Sequence, residues 1–497
     1  MSFGDRYEVW GRIGEGGMSE VWLGKHTALC VPVIFKTIRQ TVLDTVGAEK
    51  AGARLLNEAR LMARVTNPRV VRAIDAGVTA ERVPFLVQEY VDGLDLAELD
   101  RRRRANLGVG LPLWFVCYAM SEICDGLQSA HQAGVLHRDL KPSNVFGAPE
   151  SGVRLGDFGI AVARDDEVRE ASGTMKFMAP EQFRGEKLSR RTDVYGAGAT
   201  ACDLRYGRSP FRFVDEVLDP EKQPDLPAPI SAQEAYFQHT LREMLAKDPA
   251  DRPASAAEAG RHFRSLATSL MPNLVAGQLI ERHGLRIGQT VVTFEVGDLA
   301  ETAADAIVSS ANFQMQMRTG VADALRRRGG DDIEREATVH GEQALGACIK
   351  TGAGKLAARH VLHAVSAWNE VSCVGRATER ALLLADELGC KRIAVPALGT
   401  GAGRVSMEMS ANAMMTALRW HIMLGGSRLR EIRVVLADEA KQRVYRDVAE
   451  EAIRGREVAV RAKADLGLPA DEHEVLPEGA TCIDTDQPEN VPPVSRA

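Results

Sequence analysis

One short run of residues joins a carboxylate and an amide at a spacing that suits phosphoryl transfer. The run is HRDLKPSN at residues 137–144, which contains Asp139 and Asn144, and Asp157 follows it at the start of an Asp-Phe-Gly triplet. Moving a phosphoryl group off a nucleotide needs one carboxylate to orient the attacking hydroxyl, and further oxygen ligands for the metal ions that absorb developing charge. The pattern therefore predicts that Asp139 takes the first role and that Asn144 and Asp157 take the second.

The elements upstream of this loop would have to hold the nucleotide against it. Residues 13–21, IGEGGMSEV, are rich in glycine, and glycines let backbone amides approach phosphates because no Cβ stands in the way. Lys36 ends the run VIFK, and Glu58 lies within residues 55–62, whose apolar spacing is that of an amphipathic helix. Each feature alone is weak evidence, whereas the ordered set favours a nucleotide site.

In this order the motifs resemble those of bacterial eukaryotic-like (Hanks-type) serine/threonine protein kinases, over residues 7–266. The resemblance implies an α+β bilobal kinase fold for residues 1–268, with an N-lobe at about 7–90 and a C-lobe at about 91–268. It implies transfer of the γ-phosphoryl group of ATP, with Mg²⁺, to a protein substrate. By resemblance, Asp139 orients the hydroxyl, Lys141 steadies the γ-phosphate, and Lys36 holds the other phosphates beside its partner Glu58. Asn144 and Asp157 bind Mg²⁺. The residues that contact ATP are Ile13, Gly14, Gly16, Gly17, Val21 and the backbone of Glu89 and Val91.

One departure from the family pattern, and the activation loop, bear on activity and its control. Ile34 stands where the family usually has alanine above the adenine ring, so that it either crowds the pocket or repacks harmlessly. The residues on which catalysis and metal binding most depend are all present, which favours an active enzyme over a catalytically weak kinase-fold scaffold. They are Lys36, Glu58, Asp139, Asn144 and Asp157. A phosphate on the activation loop would pair with Arg138, and the candidate phosphosites are Ser172 and Thr174.

Composition and charge exclude several classes of protein. A length of 497 residues predicts more than one domain, and 45% hydrophobic with 26% charged residues is typical of soluble protein. No stretch approaches the ~20 apolar residues of a membrane span, and the first residues lack the basic start and apolar core of a secretion signal. A net charge of -6 argues against general nucleic-acid binding. Eight cysteines without Cys-x-x-Cys spacing predict free thiols in a reducing compartment, so we expect a cytoplasmic protein.

The chain carries one conspicuous basic run, at residues 101–104. We interpret it as a solvated loop of the helical lobe, with a docking site for an acidic substrate as the alternative.

The pattern changes in the second half, where strands and helices alternate. Runs rich in β-branched residues, at 291–296, 306–310 and 392–396, are separated by helical stretches. Such alternation predicts a mostly parallel sheet covered on both faces. Ligands of these folds bind beyond the carboxyl ends of the strands, and Asp298 and Asn312 follow the first two. The sequence therefore predicts a second ligand site at this edge.

Residues 290–460 resemble a macro domain, the ADP-ribose-binding module, which has an α/β three-layer fold. The resemblance implies that ADP-ribose, or an ADP-ribosylated protein, is the ligand. By resemblance, Asp298 binds adenine, Asn312 lies near the distal ribose, and backbone amides of Gly320, Val321, Gly399, Thr400, Gly401, Ala402 and Gly403 wrap the diphosphate. Considered alone, Asp298 and Asn312 are equally well explained as turn caps.

Hydrolytic relatives often carry an aspartate directly after the valine of the first loop. Here Ala322 follows Val321, which favours a reader of ADP-ribose over a hydrolase. Residues 269–289 are predicted to be a linker. Residues 461–497 are rich in Asp, Glu and Pro without apolar periodicity, which predicts a disordered acidic tail.

Overall fold

The N-terminal unit opens with a five-stranded antiparallel sheet in the order β1-β2-β3-β5-β4. Side chains of β3 alternate, so that Val33 and Phe35 are buried on one face while Ile34 and Lys36 lie on the other. Val21 of β2 pairs with Lys36 and shares its face. The elements of this lobe are β1 Tyr7–Glu15, β2 Ser19–His26, β3 Val31–Ile38, α1 Gln40–Val46, α2 Ala48–Met62, β4 Ala73–Val78 and β5 Pro84–Glu89.

The computed structural model describes residues 6–15, 19–79, 83–149, 151–158, 174–270, 278–280, 284–368 and 371–454.

A helical lobe follows, built around a long apolar helix. That helix, Leu113–Gln132, buries most of its side chains because its apolar residues surround it on nearly every side. A short three-stranded sheet carries the loops that lead to the candidate site. The elements are β6 Leu94–Asp95, α3 Leu96–Leu107, α4 Leu113–Gln132, β7 Val145–Ala148, β8 Gly152–Leu155, α5 Pro180–Arg184, α6 Arg190–Tyr206, α7 Val214–Leu218, α8 Ala232–Met244 and α9 Ala256–Leu270.

The C-terminal unit is an eight-stranded mixed sheet between two layers of helices, in the order β13-β14-β12-β17-β18-β11-β10-β9. Its five central strands are parallel. Neighbouring residues of β12 enter different cores, Val308 on one face and Ile307 on the other. The elements are β9 Gln278–Ile280, β10 Gly284–Ile287, β11 Thr290–Val296, β12 Ala306–Ala311, α10 Gly320–Gly329, α11 Asp332–Val339, β13 Cys348–Gly352, β14 His360–Val365, β15 Ala367–Trp368, β16 Val371–Ser372, α12 Val374–Glu387, β17 Arg392–Val395, α13 Met407–Met423, β18 Glu431–Leu436 and α14 Glu439–Arg454.

The segment predicted as a linker, 269–289, differs in the structure. Strands β9 and β10 lie within it and extend the C-terminal sheet, because Ile287 pairs with Thr290 across a two-residue turn. Gly288 supplies the positive φ, 57°, that such a turn requires. The predicted acidic tail, 461–497, lies outside the described residues.

The architecture predicted from the motifs is confirmed: a two-lobed unit, with an antiparallel sheet before a helical lobe, precedes a three-layer α/β domain. Within the part of the chain that the structure describes, no helix is both long and apolar enough to span a membrane.

Candidate active site and candidate ADP-ribose site

The loop that carries Asp139 is held by a buried carboxylate before any functional side chain is considered. Asp193, at the start of α6, accepts hydrogen bonds from the backbone amides of His137 at 2.9 Å and Arg138 at 2.7 Å, and lies 2.7 Å from His131 Nε2. The ring of His137 is bonded to the carbonyl of Gly156 at 2.9 Å. Arg138 adopts a φ of 67°, a left-handed conformation that these bonds stabilise. Hydrogen bonds from two directions therefore fix the conformation of this loop.

The carboxylate of Asp139 is oriented by its neighbours on that loop. Lys141 Nζ lies 2.9 Å from Asp139 Oδ2, and Asn144 Nδ2 donates to the same oxygen at 3.2 Å and to the Asp139 carbonyl at 2.8 Å. Asp139 Oδ1 is buried and accepts no hydrogen bond within the described residues. One carboxylate oxygen is thus fixed while the other is left for an incoming donor.

Lys36 brings the two lobes together at the cleft. Its Nζ lies 3.0 Å from Glu58 Oε1 on α2 and 3.3 Å from Asp157 Oδ1 in the C-lobe. Burial acts to lower the pKa of Lys36, but the charges of Asp157 and Glu58 outweigh it and raise that pKa. Phe158, next to Asp157, packs on the His137 ring with centroids 4.7 Å apart. The lysine is therefore charged and held between the lobes.

The residues predicted to bind Mg²⁺ fit a hard cation. Although burial acts to raise the pKa of Asp157, the charge and hydrogen bond of Lys36 hold it below its ordinary value, so the carboxylate is ionised. Asn144 points its amide nitrogen at Asp139 and thereby keeps its amide oxygen for another partner. Oxygen ligands of this kind suit Mg²⁺, which also takes ligands from substrate phosphates. No cluster of three or more His, Cys, Asp or Glu suited to a metal ion occurs among the described residues.

The predicted ATP contacts that the structure describes lie on strands of the N-lobe sheet or directly after them. Ile13 and Gly14 lie on β1, Val21 on β2, Glu89 ends β5 and Val91 follows it. The Glu89 side chain forms ion pairs with Arg72 and Arg154, and its backbone amide donates to the Arg72 carbonyl at 3.0 Å. Gly16, Gly17 and the candidate phosphosite Ser172 lie outside the described residues, and Thr174 begins a short 3-10 turn.

The residues predicted to bind ADP-ribose gather at one edge of the C-terminal sheet. Asp298 follows β11 and Asn312 follows β12, two parallel strands whose carboxyl ends meet there. Both side chains cap turns: Asp298 Oδ1 accepts from Ala300 N at 2.9 Å, and Asn312 Oδ1 accepts from Gln316 N at 3.0 Å. Each side chain therefore acts as a turn cap. The other polar atoms, Asp298 Oδ2 and Asn312 Nδ2, make no hydrogen bond within the described residues.

The two predicted glycine loops flank these residues. Gly320, at the first turn of α10, has a φ of 56°, and Gly399, after β17, has a φ of 78°. A Cβ on Gly403 would lie 2.6 Å from the Gly399 carbonyl oxygen, so only glycine fits there. The Gly399 amide donates to Ser310 Oγ at 3.4 Å, which ties this loop to the end of β12. In the second loop, 399–403, the backbone at residue 403 lies close to the backbone at residue 399. Such close-packed backbone is what a loop needs to bind a diphosphate through its amides.

The interpretation of the basic run 101–104 as a solvated loop is wrong. Its residues belong to helix α3, and Arg103 is buried against the C-terminal unit. Arg103 Nη2 donates to the carbonyls of Leu424 at 2.8 Å and Gly425 at 3.0 Å. Burial lowers the pKa of Arg103 to about 10. The carbonyls just past helix α13 lack helical partners, and the arginine satisfies them.

Other contact residues between the two units also escaped the sequence analysis. They are Tyr90 and Asp92 of the segment joining the lobes, Glu98 and Asn106 of α3, and Arg380 and Glu387 of α12. In sequence, polar residues at a domain interface look the same as solvent-exposed polar residues of a helix, so no sequence signal could have identified these contacts.

Comparison with known proteins agrees with this geometry. The family model for the protein kinase domain matches residues 7–263, and that for the macro domain matches residues 308–414. The chain therefore belongs to the protein kinase family, and its C-terminal part is a macro domain.

The relatives it matches are bacterial. It is 33% identical over 271 residues to serine/threonine-protein kinase pkn3 of Myxococcus xanthus, covering 50% of this chain and 48% of that one. It is 33% identical over 277 residues to serine/threonine-protein kinase PknL of Mycobacterium tuberculosis, covering 53% and 66%. The crystal structure of the Mycobacterium tuberculosis PknI kinase domain matches with 25% identity and a TM-score of 0.43, covering 54% of this chain and all of that one. The chain spans 48% of the length of pkn3 and 36% of the length of serine/threonine-protein kinase Pkn1 of Myxococcus xanthus, to which it is 34% identical over 262 residues.

Proposed function

We propose that the protein is a serine/threonine protein kinase that transfers the γ-phosphoryl group of Mg-ATP to a protein hydroxyl. The proposal is carried by Asp139, whose Oδ2 is fixed by Lys141 and Asn144 while Oδ1 is buried without a partner in the described residues. A substrate hydroxyl that donates to Oδ1 would satisfy this oxygen and be oriented for attack. Family membership and the named kinase relatives support the same activity.

Each side chain of the cleft has a distinct part in that reaction. Lys36, held by Glu58, presents its charge to the α and β phosphates, and Lys141 steadies the γ-phosphate. Asn144 and Asp157 would hold Mg²⁺, which neutralises charge on the phosphates when it is bound. Asp139 positions the hydroxyl and accepts its proton at Oδ1. Catalysis rests on positioning and electrostatics because phosphoryl transfer itself needs little covalent help from protein.

Replacing Lys36 by methionine tests the nucleotide site. Lys36→Met removes the charge between Glu58 and Asp157, and we expect ³²P transfer from ATP to fall by about 10²-fold or more. Transfer by the full-length protein to itself or to a generic basic protein measures this. Lys222→Met, which alters an exposed ion pair to Glu216, should transfer at the wild-type rate. Equal rates for the Lys36 variant and wild type would support the alternative, a kinase-fold scaffold.

We propose that the macro domain binds ADP-ribose, free or on a protein, and does not hydrolyse it. Asp323 is the nearest carboxylate to the position where hydrolytic relatives carry one, and both its oxygens are paired, with Arg326 at 2.8 Å and Arg327 at 2.7 Å. A carboxylate held by two arginines of its own helix is poorly placed to activate water. Rapid release of ADP-ribose from a modified protein would instead identify a hydrolase.

Asp298→Ala tests the reader function. The free oxygen of Asp298 would accept from the adenine amino group, and a hydrogen bond to a charged group contributes about 1.5–3 kcal/mol. We expect the variant to bind ADP-ribose at least about tenfold more weakly than wild type in calorimetry of the full-length protein. Asp447→Asn, on the exposed face of α14, should bind as wild type does. Unchanged affinity in the Asp298 variant would leave that residue only its role as a turn cap.

We also propose that the protein works in the cytoplasm. The seven cysteines that the structure describes are free thiols, which suits a reducing compartment such as the cytoplasm.

A further inference from the structure

The macro domain lies against both lobes of the kinase, across the segment that joins them. On the N-lobe side, Leu23 of β2 is buried in one hydrophobic cluster with the macro residues Met315, Val365 and Cys373. The N-lobe residues Trp10, Ile13 and Ile34, together with Tyr90 of the joining segment, pack against the same cluster. Two of these, Ile13 and Ile34, border the predicted adenine pocket, and strand β16 of the macro domain lies beside β3.

On the C-lobe side, polar contacts fix the same domain. Asp92 accepts from the backbone amides of Gly375 at 2.9 Å and Arg376 at 3.0 Å, and so caps the first turn of α12. Arg380 of α12 makes a bidentate pair with Glu98 of α3, at 3.2 and 2.9 Å. Both partners are largely buried, which makes the pair worth more than a surface one.

Asn312, the residue predicted to lie near the distal ribose, shares a turn with Met315, which belongs to the hydrophobic cluster that includes Leu23 of the N-lobe. Met315 has a φ of 58°, unusual for a non-glycine residue, and is 1% exposed. Its amide donates to the Asn312 carbonyl at 3.1 Å, and the Asn312 side chain closes the same turn through Gln316. A ligand that draws the Asn312 amide away would therefore loosen the turn that seats Met315 against the N-lobe.

We propose that the docked macro domain clamps the kinase cleft and slows nucleotide exchange, and that ADP-ribose bound at Asn312 releases the clamp. Kinase lobes must open about their joining segment for nucleotide to enter and leave. A domain packed on both lobes is strained by that opening, because its contacts with one lobe or the other must break. The ADP-ribose part rests on the proposed function of the macro domain, whereas the clamp itself does not.

Charge reversal across the interface tests the clamp. The measurement is stopped-flow dissociation of a fluorescent ADP, with Mg²⁺, from the full-length protein. Arg380→Glu and Glu98→Arg each place like charges at the contact, and we expect release about tenfold faster than in wild type. The double variant E98R/R380E restores opposite charges at these two positions but leaves an arginine beside Arg102, which pairs with Glu98 at 3.1 Å in wild type, so release should return most of the way to the wild-type rate. Arg443→Glu, at an exposed position of α14, is the matched control for a charge change away from the interface.

A milder variant guards against misfolding of the reversed proteins. Asn106→Asp sets a carboxylate beside Glu387, whose Oε1 now accepts from Asn106 Nδ2 at 2.7 Å. It should speed release in the same direction by a smaller factor. Wild-type release in Asn106→Asp and in any folded single charge variant would overturn the clamp, as would fast release that the double variant fails to correct.

Adding ADP-ribose tests the release step separately. We expect saturating ADP-ribose to speed ADP release from wild type about as much as charge reversal does, and to have no effect on Asn312→Ala. A response that persists in Asn312→Ala would overturn the coupling, because it would come from the kinase cleft. If calorimetry shows that ADP-ribose binds wild type and release is unchanged, the coupling is wrong; if it shows no binding, the proposed reader function is wrong instead.

Discussion

Asp139→Asn should lower the rate of phosphoryl transfer by about 10²–10⁴-fold, the range that a positioned acid or base contributes. Asparagine keeps the size of the side chain and can still contact Lys141 and Asn144 through its oxygen. It removes the charge and the basicity at Oδ1, the buried atom to which the hydroxyl would donate. The affinity for ATP should change little, because in the proposed mechanism Asp139 contacts the hydroxyl and Lys36 contacts the phosphates.

The measurement is a kcat for ³²P transfer beside a Kd for ATP, both on the full-length protein. Glu243→Gln, on α8 where the half-exposed Glu243 carboxylate pairs with His239, is the control for loss of one negative charge. A kcat within a few fold of wild type would show that Asp139 is dispensable for transfer, whereas only background transfer in both proteins would identify a scaffold.

Arg252→Met should destabilise the kinase domain by about 3–5 kcal/mol, the usual cost of removing one partner from a buried ion pair. Arg252 binds both oxygens of Glu181, at 2.7 and 2.9 Å, and donates to the carbonyls of Ala246 at 2.7 Å and Arg191 at 3.0 Å. Its guanidinium also lies 4.9 Å from the centre of the Tyr195 ring. Methionine fills the space but leaves the buried Glu181 carboxylate without its counter-charge, and the carbonyls of Ala246, Arg191 and Lys247 lose the hydrogen bonds of the arginine.

Urea unfolding at pH 7 measures this loss. Arg212→Met, at an exposed position with a weak pair to Asp225, should stay within about 0.5 kcal/mol of wild type. Adding Glu181→Leu to Arg252→Met should recover part of the stability, because the unpaired charge is then gone. A single variant as stable as wild type would contradict the assignment of this pair as a structural anchor.

The same pair predicts how stability depends on pH. Burial acts to raise the pKa of Glu181, but the hydrogen bond and charge of Arg252 outweigh it, so the pKa lies below its ordinary value of 4.5. A depressed carboxyl pKa contributes stability above that ordinary value and loses it as pH falls through the lower, folded-state value. The stability difference between wild type and Arg252→Met should therefore shrink as pH drops below about 4.5.

The contact between Asp139 and Asn144 could be predicted from sequence because it is local. Asp139 and Asn144 lie five positions apart, and one short loop sets their geometry. Lys36 and Asp157 are 121 positions apart, so their proximity followed only from the resemblance to kinases. Parallel strands predicted the common edge for Asp298 and Asn312, although not that each would also cap a turn.

The packing of the two domains could not be predicted, for a physical reason. Glu98 and Arg380 are 282 positions apart on ordinary amphipathic helices, and nothing in their local sequence marks them as partners. The arginine run of α3 was misread as solvated because charged residues are rarely buried. Of the run only Arg103 is buried, and its partners, the carbonyls at residues 424 and 425, come from a distant segment. Strands β9 and β10 were missed because they are short and separated from the main strands by turn residues.

The cap that Asp92 places on helix α12 has a consequence for how the two halves can be separated. That helix begins with amides whose partner belongs to the kinase, and the carbonyls past α13 rely on Arg103 in the same way. Excising the macro domain at the chain segment between the units would leave both helix ends to water. The isolated macro domain should therefore fray at these two helix ends. A gene fusion that moved it onto another enzyme would have to replace the hydrogen bonds that Asp92 and Arg103 of the kinase domain now supply.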